Sequence, residues 1–507
     1  MFVLSEYLNG VLALDPSADA IEFEQQWFTW GQLAGQVAAI RAQLTALGLG
    51  AEARVGIMVR NRPDSIAAIL TALTTEACIV SINPLLPEAR LNADLAKLKV
   101  PVVIGEADDF ARPGVVDLLK AEGSAGIVMT PFLGGAALHP ELTTIAGADL
   151  VRTSPGTFVE MLTSGTTGTP KRIPLKRKNL IASITTALAM EKGRSAEDPP
   201  ALRTGVEILG NPITHIGGLY FVVTTLASGR KLALRERFSV EGWHDAVKRH
   251  KPRIVGAVPA ALRMIMEANL PKEDLSSLLA IRSGTAPLDA EVVDAFLDRY
   301  NIPVLQSYGA TEFAGAVAMW RLPDFREWWT RKRGSTGRMF PGTEGRIVDP
   351  ETGAELPHGE EGVLELRAKQ IGDGQSWVRT TDRAVLDADG FLFIRGRADN
   401  AIIRGGFKVH PDDVVKIIES HPAVREAVVV GLPDKRLGSV PAAAVILAQG
   451  AAAPTEEDLK NYVRERALPY QVPVQFRIVD DVPRTPSMKP SLPLVRELFE
   501  TGAATAA

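Results

Sequence analysis

A run of small hydroxyl residues and glycines, from position 161 to position 171, is the segment of this sequence best suited to chemistry. In such a run backbone N–H groups can crowd around an anion, hydroxyls add donors and a lysine adds a point charge. A flexible surface turn is the alternative, but hydroxyl, glycine, proline and lysine residues in this order favour a phosphate-binding loop. A Walker loop is excluded, because no Gly-Lys-Ser/Thr follows and the residues after Lys171 resist opening a helix. The candidate phosphate ligands are Thr163, Ser164, Gly165, Thr166, Thr167, Gly168 and Lys171.

Four further side chains have types that suit a nucleotide site, although each has an ordinary alternative. Asp382 can accept hydrogen bonds from both hydroxyls of a cis-diol, or it can cap a Thr-Thr-Asp turn. Glu312 is a hard ligand of the kind that Mg²⁺ needs, or a solvated surface charge. Tyr308 offers a flat face for a base, and a core tyrosine is the equal alternative. Lys489 lies in a proline-rich tail and would, on its own, be read as a solvent lysine.

The elements that must position these residues alternate between strand and helix in the first half of the chain. Hydrophobic periodicity predicts strands at 53–59, 78–82 and 100–104, and helices at 33–47, 63–73 and 86–98. Strands separated by helices of this length need crossover connections and form a mostly parallel sheet covered on both faces. The predicted fold class is therefore α/β.

The second half of the chain changes texture. Short strands with turn signals predict a small β-rich subdomain at about 335–395. Beyond it the pattern predicts a compact α+β unit, with helices at 411–419 and 456–466 and strands at 424–431 and 442–447. We expect an N-terminal domain over 1–396, a hinge at 397–400 and a small C-terminal domain over 401–507.

Composition excludes several classes of protein. Lysine and arginine number 56 against 60 aspartates and glutamates, a net charge of −4, which argues against binding nucleic acid or a membrane surface through a basic field. The one cysteine, Cys78, leaves no internal disulfide and no zinc cluster, and its apolar neighbours predict a core position. No signal peptide or long apolar run is visible, so we expect a soluble, cytoplasmic protein.

Six further segments follow the hydroxyl-rich loop in an order that resembles the adenylate-forming superfamily, which includes acyl-CoA synthetases, luciferases and nonribosomal adenylation domains. The resemblance spans roughly Gly56 to Lys489. The six segments are Ser-Gly-Thr-Ala-Pro (283–287), Ser-Tyr-Gly-Ala-Thr-Glu (307–312), Thr-Thr-Asp (380–382), Gly-Arg-Ala-Asp (396–399), Arg-Gly-Gly-Phe-Lys-Val (404–409) and Pro-Arg-Thr-Pro-Ser-Met-Lys (483–489). Ordered matches are far more specific than any one of them.

The resemblance implies a role for each motif. Glu312 and Thr167 would hold Mg²⁺, Thr311 would contact the α-phosphate region, and Lys489 would be the catalytic lysine. Asp382 and Arg397 would lie at the ribose, and Tyr308 would lie against adenine. The other residues implied in the ATP/AMP site are Gly284, Thr285, Ala286, Pro287, Ser307 and Gly309. Asp399 would be the hinge pivot, and the implied CoA-binding residues are Gly405, Gly406 and Phe407. In the family the C-terminal domain is mobile and turns about this hinge between two half-reactions.

The segment around His215 is similar to the family segment beside the acyl pocket, although a structural histidine is the alternative. The small residues Gly217 and Gly218, with those after Glu312, predict a roomy pocket for the acid. Four departures from the family pattern stand out. They are Met488 in place of a glycine, Thr380, Lys176-Arg177 in place of a Ser-His pair, and the bulky Arg172.

The resemblance implies an AMP-forming acid–thiol ligase, an acyl-CoA synthetase. It would use ATP, Mg²⁺ and coenzyme A, with a carboxylic acid as substrate, no nucleic acid or membrane partner, and a monomeric or homodimeric state. The alternatives are a stand-alone adenylation enzyme that loads a carrier protein, a P-loop-like ATPase or kinase, and a non-catalytic sensor. Retention of Lys489, Glu312 and Asp382 disfavours the sensor.

Overall fold

The N-terminal elements surround a seven-stranded sheet, and the computed structural model describes residues 2–163, 171–190, 198–485 and 488–500 of the chain. These elements are α1 (Leu4–Leu12), β1 (Asp19–Phe23), β2 (Gln26–Thr29), α2 (Trp30–Ala46), β3 (Arg54–Met58), α3 (Pro63–Thr74), β4 (Cys78–Ile82), α4 (Glu88–Leu98), β5 (Val102–Glu106), α5 (Ala107–Phe110), α6 (Val115–Glu122), β6 (Ala125–Met129), β7 (Ala136–Leu138), β8 (Thr157–Thr163) and β9 (Lys171–Lys176). The strand order is β7-β6-β5-β3-β4-β8-β9, parallel except at the two edge strands.

Two further sheets complete the α/β part of the chain. Its elements are α7 (Arg177–Ala189), β10 (Val206–Leu209), α8 (Ile216–Ala227), β11 (Lys231–Leu234), α9 (Val240–His250), β12 (Ile254–Gly256), α10 (Pro259–Glu267), β13 (Ala280–Ser283), α11 (Ala290–Tyr300), β14 (Val304–Ala310), β15 (Gly315–Met319), α12 (Leu322–Trp328) and β16 (Arg338–Met339). One sheet has the order β10-β11-β1-β2 and the other β12-β13-β14-β15-β16. Strands β12, β13 and β14 are parallel, so their carboxyl ends meet at one edge.

The rest of the chain forms two smaller sheets. An antiparallel sheet contains β17 (Thr343–Val348), β18 (Glu361–Ala368), β19 (Val378–Leu386) and β20 (Leu392–Arg397). The C-terminal elements are β21 (Ile402–Arg404), β22 (Phe407–Val409), α13 (Pro411–Glu419), β23 (Val424–Asp434), β24 (Gly438–Leu447), α14 (Glu456–Arg464), β25 (Gln475–Ile478) and α15 (Leu492–Glu500). The fold is therefore mixed α/β, with a large N-terminal domain and a small C-terminal domain.

Local sequence explains where the C-terminal helices begin. Helix α13 starts at Pro411. Proline lacks an N–H, which costs nothing here because an N–H in the first turn has no partner within the helix, and two aspartates in this turn interact favourably with the helix dipole. Helix α14 starts after Thr455, whose hydroxyl accepts from the Asp458 amide in a capping box. The predicted helix at 411–419 and strand at 78–82 are confirmed to the residue, whereas the helix predicted at 86–98 begins at Glu88 and the strand predicted at 100–104 lies at Val102–Glu106.

Cys78 lies in the core, as predicted, with none of its surface exposed. Burial, and then the negative charge of Glu160, raise the pKa of its thiol to about 12. Glu160 is itself paired with Arg54 at 2.7 Å. The thiol is therefore protonated at neutral pH and is not a nucleophile. Among the described residues no helix is long and apolar enough to cross a bilayer.

Candidate active site

Tyr308 and Asp382 meet where β14 of the large domain faces β19 of the β17–β20 sheet. The Tyr308 hydroxyl donates a hydrogen bond to Asp382 Oδ2 at 2.5 Å. The Asp382 amide donates to Thr380 Oγ1 at 3.1 Å, and that hydroxyl donates to the Leu364 carbonyl at 2.9 Å. Burial raises the pKa of Asp382, against the effect of the Tyr308 hydrogen bond. One carboxylate oxygen of Asp382 is thus held by the phenol, and the other accepts no hydrogen bond from a described residue.

The turn after β13 brings its backbone close to β14. A Cβ on Gly284 would lie 2.5 Å from Ser307 Oγ, so a larger residue would displace the Ser307 hydroxyl. The Ser307 hydroxyl donates to the Ser283 carbonyl at 3.2 Å. The next residue, Thr285, has φ +72°, a backbone conformation that is strained for a β-branched residue. Strain of this kind concentrates at functional sites. Ala286 and Pro287 continue the turn.

A short 3-10 turn, Thr311–Phe313, joins β14 to β15 and carries Glu312. The Glu312 carboxylate is exposed and has no ion-pair partner among the described residues. The β-bulge between Tyr308 and Gly309 sets up this corner, and a Cβ on Gly309 would lie 2.3 Å from the Gly315 carbonyl oxygen. Any larger residue at position 309 would therefore push the two strands apart.

The donor set at Glu312 fits a magnesium ion that a ligand helps to hold. Mg²⁺ usually takes one or two carboxylates together with substrate phosphates and water. The described part of the chain contains no group of three or more His, Cys, Asp or Glu side chains that could hold a metal by themselves. A single unpaired carboxylate matches the ligand-assisted arrangement. The other predicted metal residue, Thr167, lies outside the described residues.

The segment at 397–400, predicted to be a hinge, is held by contacts with the start of α13. Arg397 forms a bidentate pair with Asp399, with both N–O distances 2.8 Å. The Arg397 amide also donates to Asp412 Oδ2 at 3.2 Å. Gly396 has φ +120°, and a Cβ on it would lie 2.2 Å from the same Asp412 oxygen. Glycine is thus required at position 396, because α13 packs directly onto the backbone at this position.

Lys489 lies in a tight turn of the C-terminal domain that faces the N-terminal domain. The Thr485 amide donates to the Lys489 carbonyl at 2.8 Å, and Arg484 pairs with Glu426 at 2.8 Å, which anchors the turn. The lysine side chain is open to solvent, yet enough protein surrounds it that burial, and then the charge of Arg397, lower its pKa. The Lys489 charge is thus close enough to that of Arg397 to interact with it, and we call the space between the two domains at this point the cleft.

His215 lies on the other side of this cleft, at the start of α8. Burial, and then the charge of Lys489, lower the pKa of His215 to about 4, so its ring is neutral at pH 7. Its Nε2 atom is buried and has no hydrogen-bond partner in the described part of the chain. A Cβ on Gly217 would lie 3.2 Å from the Thr285 methyl group, whereas one on Gly218 would lie 2.2 Å from the Pro212 carbonyl oxygen. Gly217 thus faces Thr285 in the turn after β13. Gly218 has no room for a side chain, because the backbone at Pro212 packs against it.

The hydroxyl-rich loop connects two paired strands. Thr163 at the end of β8 is the register partner of Lys171 at the start of β9, so the loop closes a hairpin. Ser164, Gly165, Thr166, Thr167 and Gly168 lie outside the described residues. Arg172 anchors β9, because its guanidinium contacts Asp94 at 2.9 Å and the Ser81 carbonyl at 2.8 Å. This accounts for the bulky residue at position 172.

The glycine hairpin of the C-terminal domain lies apart from the cleft. Gly405 and Gly406 have φ +57° and +88° and form the two-residue turn between β21 and β22. Phe407 is 58% exposed and stacks on Tyr470, with ring centroids 4.8 Å apart. Within the described ranges no hydrogen bond or ion pair joins residues 405–408 to the N-terminal domain. The structure therefore brings Lys489 to the cleft, and it does not bring this hairpin there.

Comparison with known proteins decides the family. The sequence pattern of the family described as "AMP-binding enzyme" matches residues 11–374, and that of the "AMP-binding enzyme C-terminal domain" matches residues 415–489. The chain belongs to the AMP-binding enzyme family. The predicted membership of the adenylate-forming superfamily is thus confirmed, together with the predicted α/β fold.

Curated relatives of this AMP-binding enzyme include plant ligases. It is 30% identical over 388 residues to a 4-coumarate–CoA ligase-like protein of Oryza sativa subsp. japonica. This alignment covers 75% of this chain and 69% of the relative. It is 29% identical over 480 residues to a 4-coumarate–CoA ligase of Humulus lupulus, covering 89% and 85%. At the level of the family, these findings confirm the prediction of an AMP-forming acid–thiol ligase that uses ATP, Mg²⁺ and coenzyme A.

Solved structures share the fold over almost the whole length of this AMP-binding enzyme. ATP-bound MatB from Rhodopseudomonas palustris superposes with a TM-score of 0.80 at 22% identity, covering 98% of this chain and 99% of that one. The amide bond synthetase McbA from Marinactinospora thermotolerans superposes with a TM-score of 0.79 at 26% identity, covering 98% and 100%. Both superpositions span the large and the small domain of this chain.

Sequence reasoning missed one charged residue of this AMP-binding enzyme that lies at the cleft, Arg282 on β13. Its guanidinium is exposed and has no ion-pair partner among the described residues. Burial raises the pKa of Tyr220 on α8 to about 12, and the nearby charge of Arg282 opposes this effect. Gly256 is the register partner of Arg282 on β12, and a Cβ there would meet nothing within 4 Å. The signal was an arginine inside the short strand before the Ser-Gly-Thr-Ala-Pro motif.

Proposed function

We propose that this chain activates a carboxylic acid with ATP and then transfers the acyl group to the thiol of coenzyme A. The observation that carries the proposal is the position of Lys489, which the C-terminal domain presents to His215 and Arg397 across the cleft. Family membership supports the first step, and the relatives named as CoA ligases support the second. We also propose that the chain turns at residues 397–400 between the two steps.

In the first step a carboxylate oxygen of the acid attacks the α-phosphorus of ATP. A phosphorus–oxygen bond forms, the bond to pyrophosphate breaks, and pyrophosphate leaves with the electron pair. Negative charge builds up around the reacting phosphorus, where the Lys489 ammonium stabilises it. When bound, Mg²⁺ supplies further positive charge at the phosphates, and Glu312 is placed to hold it. The free carboxylate oxygen of Asp382 accepts hydrogen bonds from the ribose hydroxyls, which holds the nucleotide in position.

In the second step the thiol sulfur attacks the acyl carbon of the adenylate. A carbon–sulfur bond forms, the carbon–oxygen bond to AMP breaks, AMP leaves with the electron pair, and the thiol proton passes to solvent. By this step the proposed turn at residues 397–400 has carried Lys489 away from the reacting atoms, so it does not act on the departing AMP. The hairpin at Gly405 and Gly406 is exposed and, in the described part of the chain, forms no hydrogen bond or ion pair with the N-terminal domain, which suits an element that approaches the cleft only when the C-terminal domain turns.

An acid panel with ATP, Mg²⁺ and coenzyme A tests the proposal. We expect acid-dependent release of pyrophosphate and AMP, together with acyl-CoA, measured by coupled pyrophosphate assay and mass spectrometry. Pyrophosphate without a thioester would contradict CoA as acceptor, and ADP as product would contradict adenylation altogether. Turnover with acetate or propionate alone would contradict the roomy pocket.

A second acceptor belongs in the same experiment. The similarity to an amide bond synthetase, at 26% identity over 98% of the chain, favours an amine as the alternative nucleophile. An arm with amines in place of coenzyme A should give no amide if the thiol is the acceptor. An arm with a phosphopantetheine-bearing carrier protein tests the adenylation enzyme that loads a carrier.

The position of Arg282 predicts a chemical feature of the acid substrate. An unpaired guanidinium beside open space suits an acid whose far end carries a second anionic or hydrogen-bond-accepting group. We expect Arg282→Met to lower kcat/KM for such acids by about tenfold or more, the scale of one lost charged hydrogen bond. Kinetics over the same panel check this. An equal loss for acids with and without the second polar group would contradict it.

The contact between the domains should depend on pH through Glu419 on α13. Burial, and then the charge of Asp289, raise the pKa of Glu419 to about 7, with Glu426 adding to the effect and Arg263 opposing it. Asp289 belongs to the N-terminal domain, so its part of this rise in pKa exists only while the domains are docked. Docking is therefore favoured when Glu419 is protonated, and this advantage declines as the pH rises towards about 7.

The matching experiment compares pyrophosphate release at pH 6 to 8.5, a range chosen to span the expected pKa of about 7. Wild-type adenylation should decline with rising pH by about twofold or more, and Glu419→Gln should remove this part of the decline. The exposed glutamate Glu465, changed to glutamine, is the matched control. Identical pH profiles for wild type and Glu419→Gln would show that Glu419 does not couple docking to pH.

A further inference from the structure

Met488 has φ +63°, in the left-handed region that favours glycine. Left-handed non-glycine residues are uncommon, and methionine has no short polar side chain with which to stabilise this conformation locally. A residue kept in such a conformation at a functional site points to a role for its side chain. The residue next to it is Lys489.

The conformation of Met488 is set by a closed turn. The Met488 amide donates to the Thr485 carbonyl at 2.8 Å, and the Thr485 amide donates to the Lys489 carbonyl at 2.8 Å. Arg484, already paired with Glu426, also donates to the Met488 carbonyl at 3.3 Å. These bonds reverse the chain at Met488 and orient the Lys489 backbone. Glycine would satisfy all of them with less strain.

The Met488 side chain does what a glycine could not do. It is half-buried and packs against an apolar cluster whose buried members all lie between Ile208 and Phe391, within the N-terminal domain. Trp329 and Phe391 belong to this cluster. The turn that carries Lys489 is thus joined to the N-terminal domain by an apolar contact that includes Met488. The described residues also include polar contacts between the domains, for example Arg425 to Glu267 at 3.0 Å.

We propose that Met488 is a positioning residue that docks the lysine turn on the N-terminal domain and so favours the adenylate-forming arrangement of the two domains. This inference rests on the proposed function, in which Lys489 acts only in the first step. The side chain gains apolar burial only while the domain is docked. Losing that contact shifts the population away from the docked arrangement without altering the chemistry of any group at the cleft.

The decisive comparison measures both half-reactions separately in wild type, Met488→Gly, Met488→Ala and Met488→Leu. For Met488→Gly we expect pyrophosphate release to fall about tenfold, while thioester formation from supplied acyl-adenylate and coenzyme A is unchanged or faster. Met488→Leu should retain most of the adenylation rate because it keeps an apolar side chain of similar size. Unfolding temperatures serve as a check, because glycine relieves the backbone and should not destabilise the fold.

Two results would overturn the inference. One is adenylation by Met488→Gly at the wild-type rate, and the other is an equal fall in both half-reactions. A readout that needs no turnover separates this failure from failure of the proposed function. Glu267→Cys with Arg425→Cys allows a short bifunctional thiol reagent to report docking, since the native Cys78 is buried. Met488→Gly should lower the cross-linking yield whatever acid or acceptor the enzyme uses, and an unchanged yield would contradict the inference.

Discussion

Replacing Lys489 with alanine is expected to slow adenylate formation by about 10²- to 10³-fold, the loss typical when one preorganised charge-stabilising group is removed. Lys489 is the cationic group that the C-terminal domain presents to the cleft near His215 and Arg397. Thioester formation from supplied acyl-adenylate should be nearly unchanged, because the proposed turn of the C-terminal domain has by then moved position 489 away from the reacting atoms. Single-turnover pyrophosphate release and acyl-CoA formation measure the two steps.

The matched control for this change is Lys435→Ala. Lys435 is an exposed lysine of the same domain, in the turn between β23 and β24. It should leave both half-reactions at the wild-type rate. Equal losses in both steps for Lys489→Ala would contradict the assignment of this lysine to adenylation.

Replacing Gly406 with leucine should have the opposite effect, with thioester formation reduced about 10²-fold and pyrophosphate release unchanged. The residue lies at the exposed hairpin turn with φ +88°, and a Cβ there would meet nothing within 4 Å. The leucine therefore does not disturb the docked arrangement that forms the adenylate. It obstructs the approach of the thiol only if the hairpin reaches the cleft in the second step.

Gly450 provides the control for backbone strain. It is also an exposed glycine of the C-terminal domain, with φ +75° and nothing within 4 Å of a Cβ. Gly450→Leu carries the same conformational cost and should leave both steps intact. If Gly406→Leu behaves like Gly450→Leu, the hairpin takes no part in thiol transfer.

Periodicity and local signals predicted elements whose determinants are local. The apolar run coincides with β4 and the proline marks the start of α13, and both predictions were confirmed to the residue. The order of the short motifs was sufficient for the family, because each depends on backbone shape and residue type within a few positions. Element ends set by tertiary packing, such as the start of α4, were displaced by two residues.

What the sequence could not predict are contacts between residues far apart in the chain. Tyr308 was assigned as a flat face for a base, but its hydroxyl also binds Asp382, which is 74 residues away. The pKa of Glu419 is raised by burial and then by the charge of Asp289 in the other domain. The role proposed for Met488 depends on the apolar cluster of the N-terminal domain that includes Phe391. From the sequence alone Arg282 is indistinguishable from an ordinary surface arginine. Only the structure shows that β12 and α8 lie beside it. These features depend on the three-dimensional path of the chain.

The position of Cys78 has a consequence for an enzyme that makes reactive acyl groups. Acyl-adenylates and thioesters acylate thiols readily, and coenzyme A forms mixed disulfides with exposed cysteines. The only sulfhydryl of this protein is sealed within β4 and protonated at neutral pH. The enzyme therefore has no accessible cysteine that could compete with its acceptor for the activated acid. For the same reason it has no accessible thiol that an oxidant could modify.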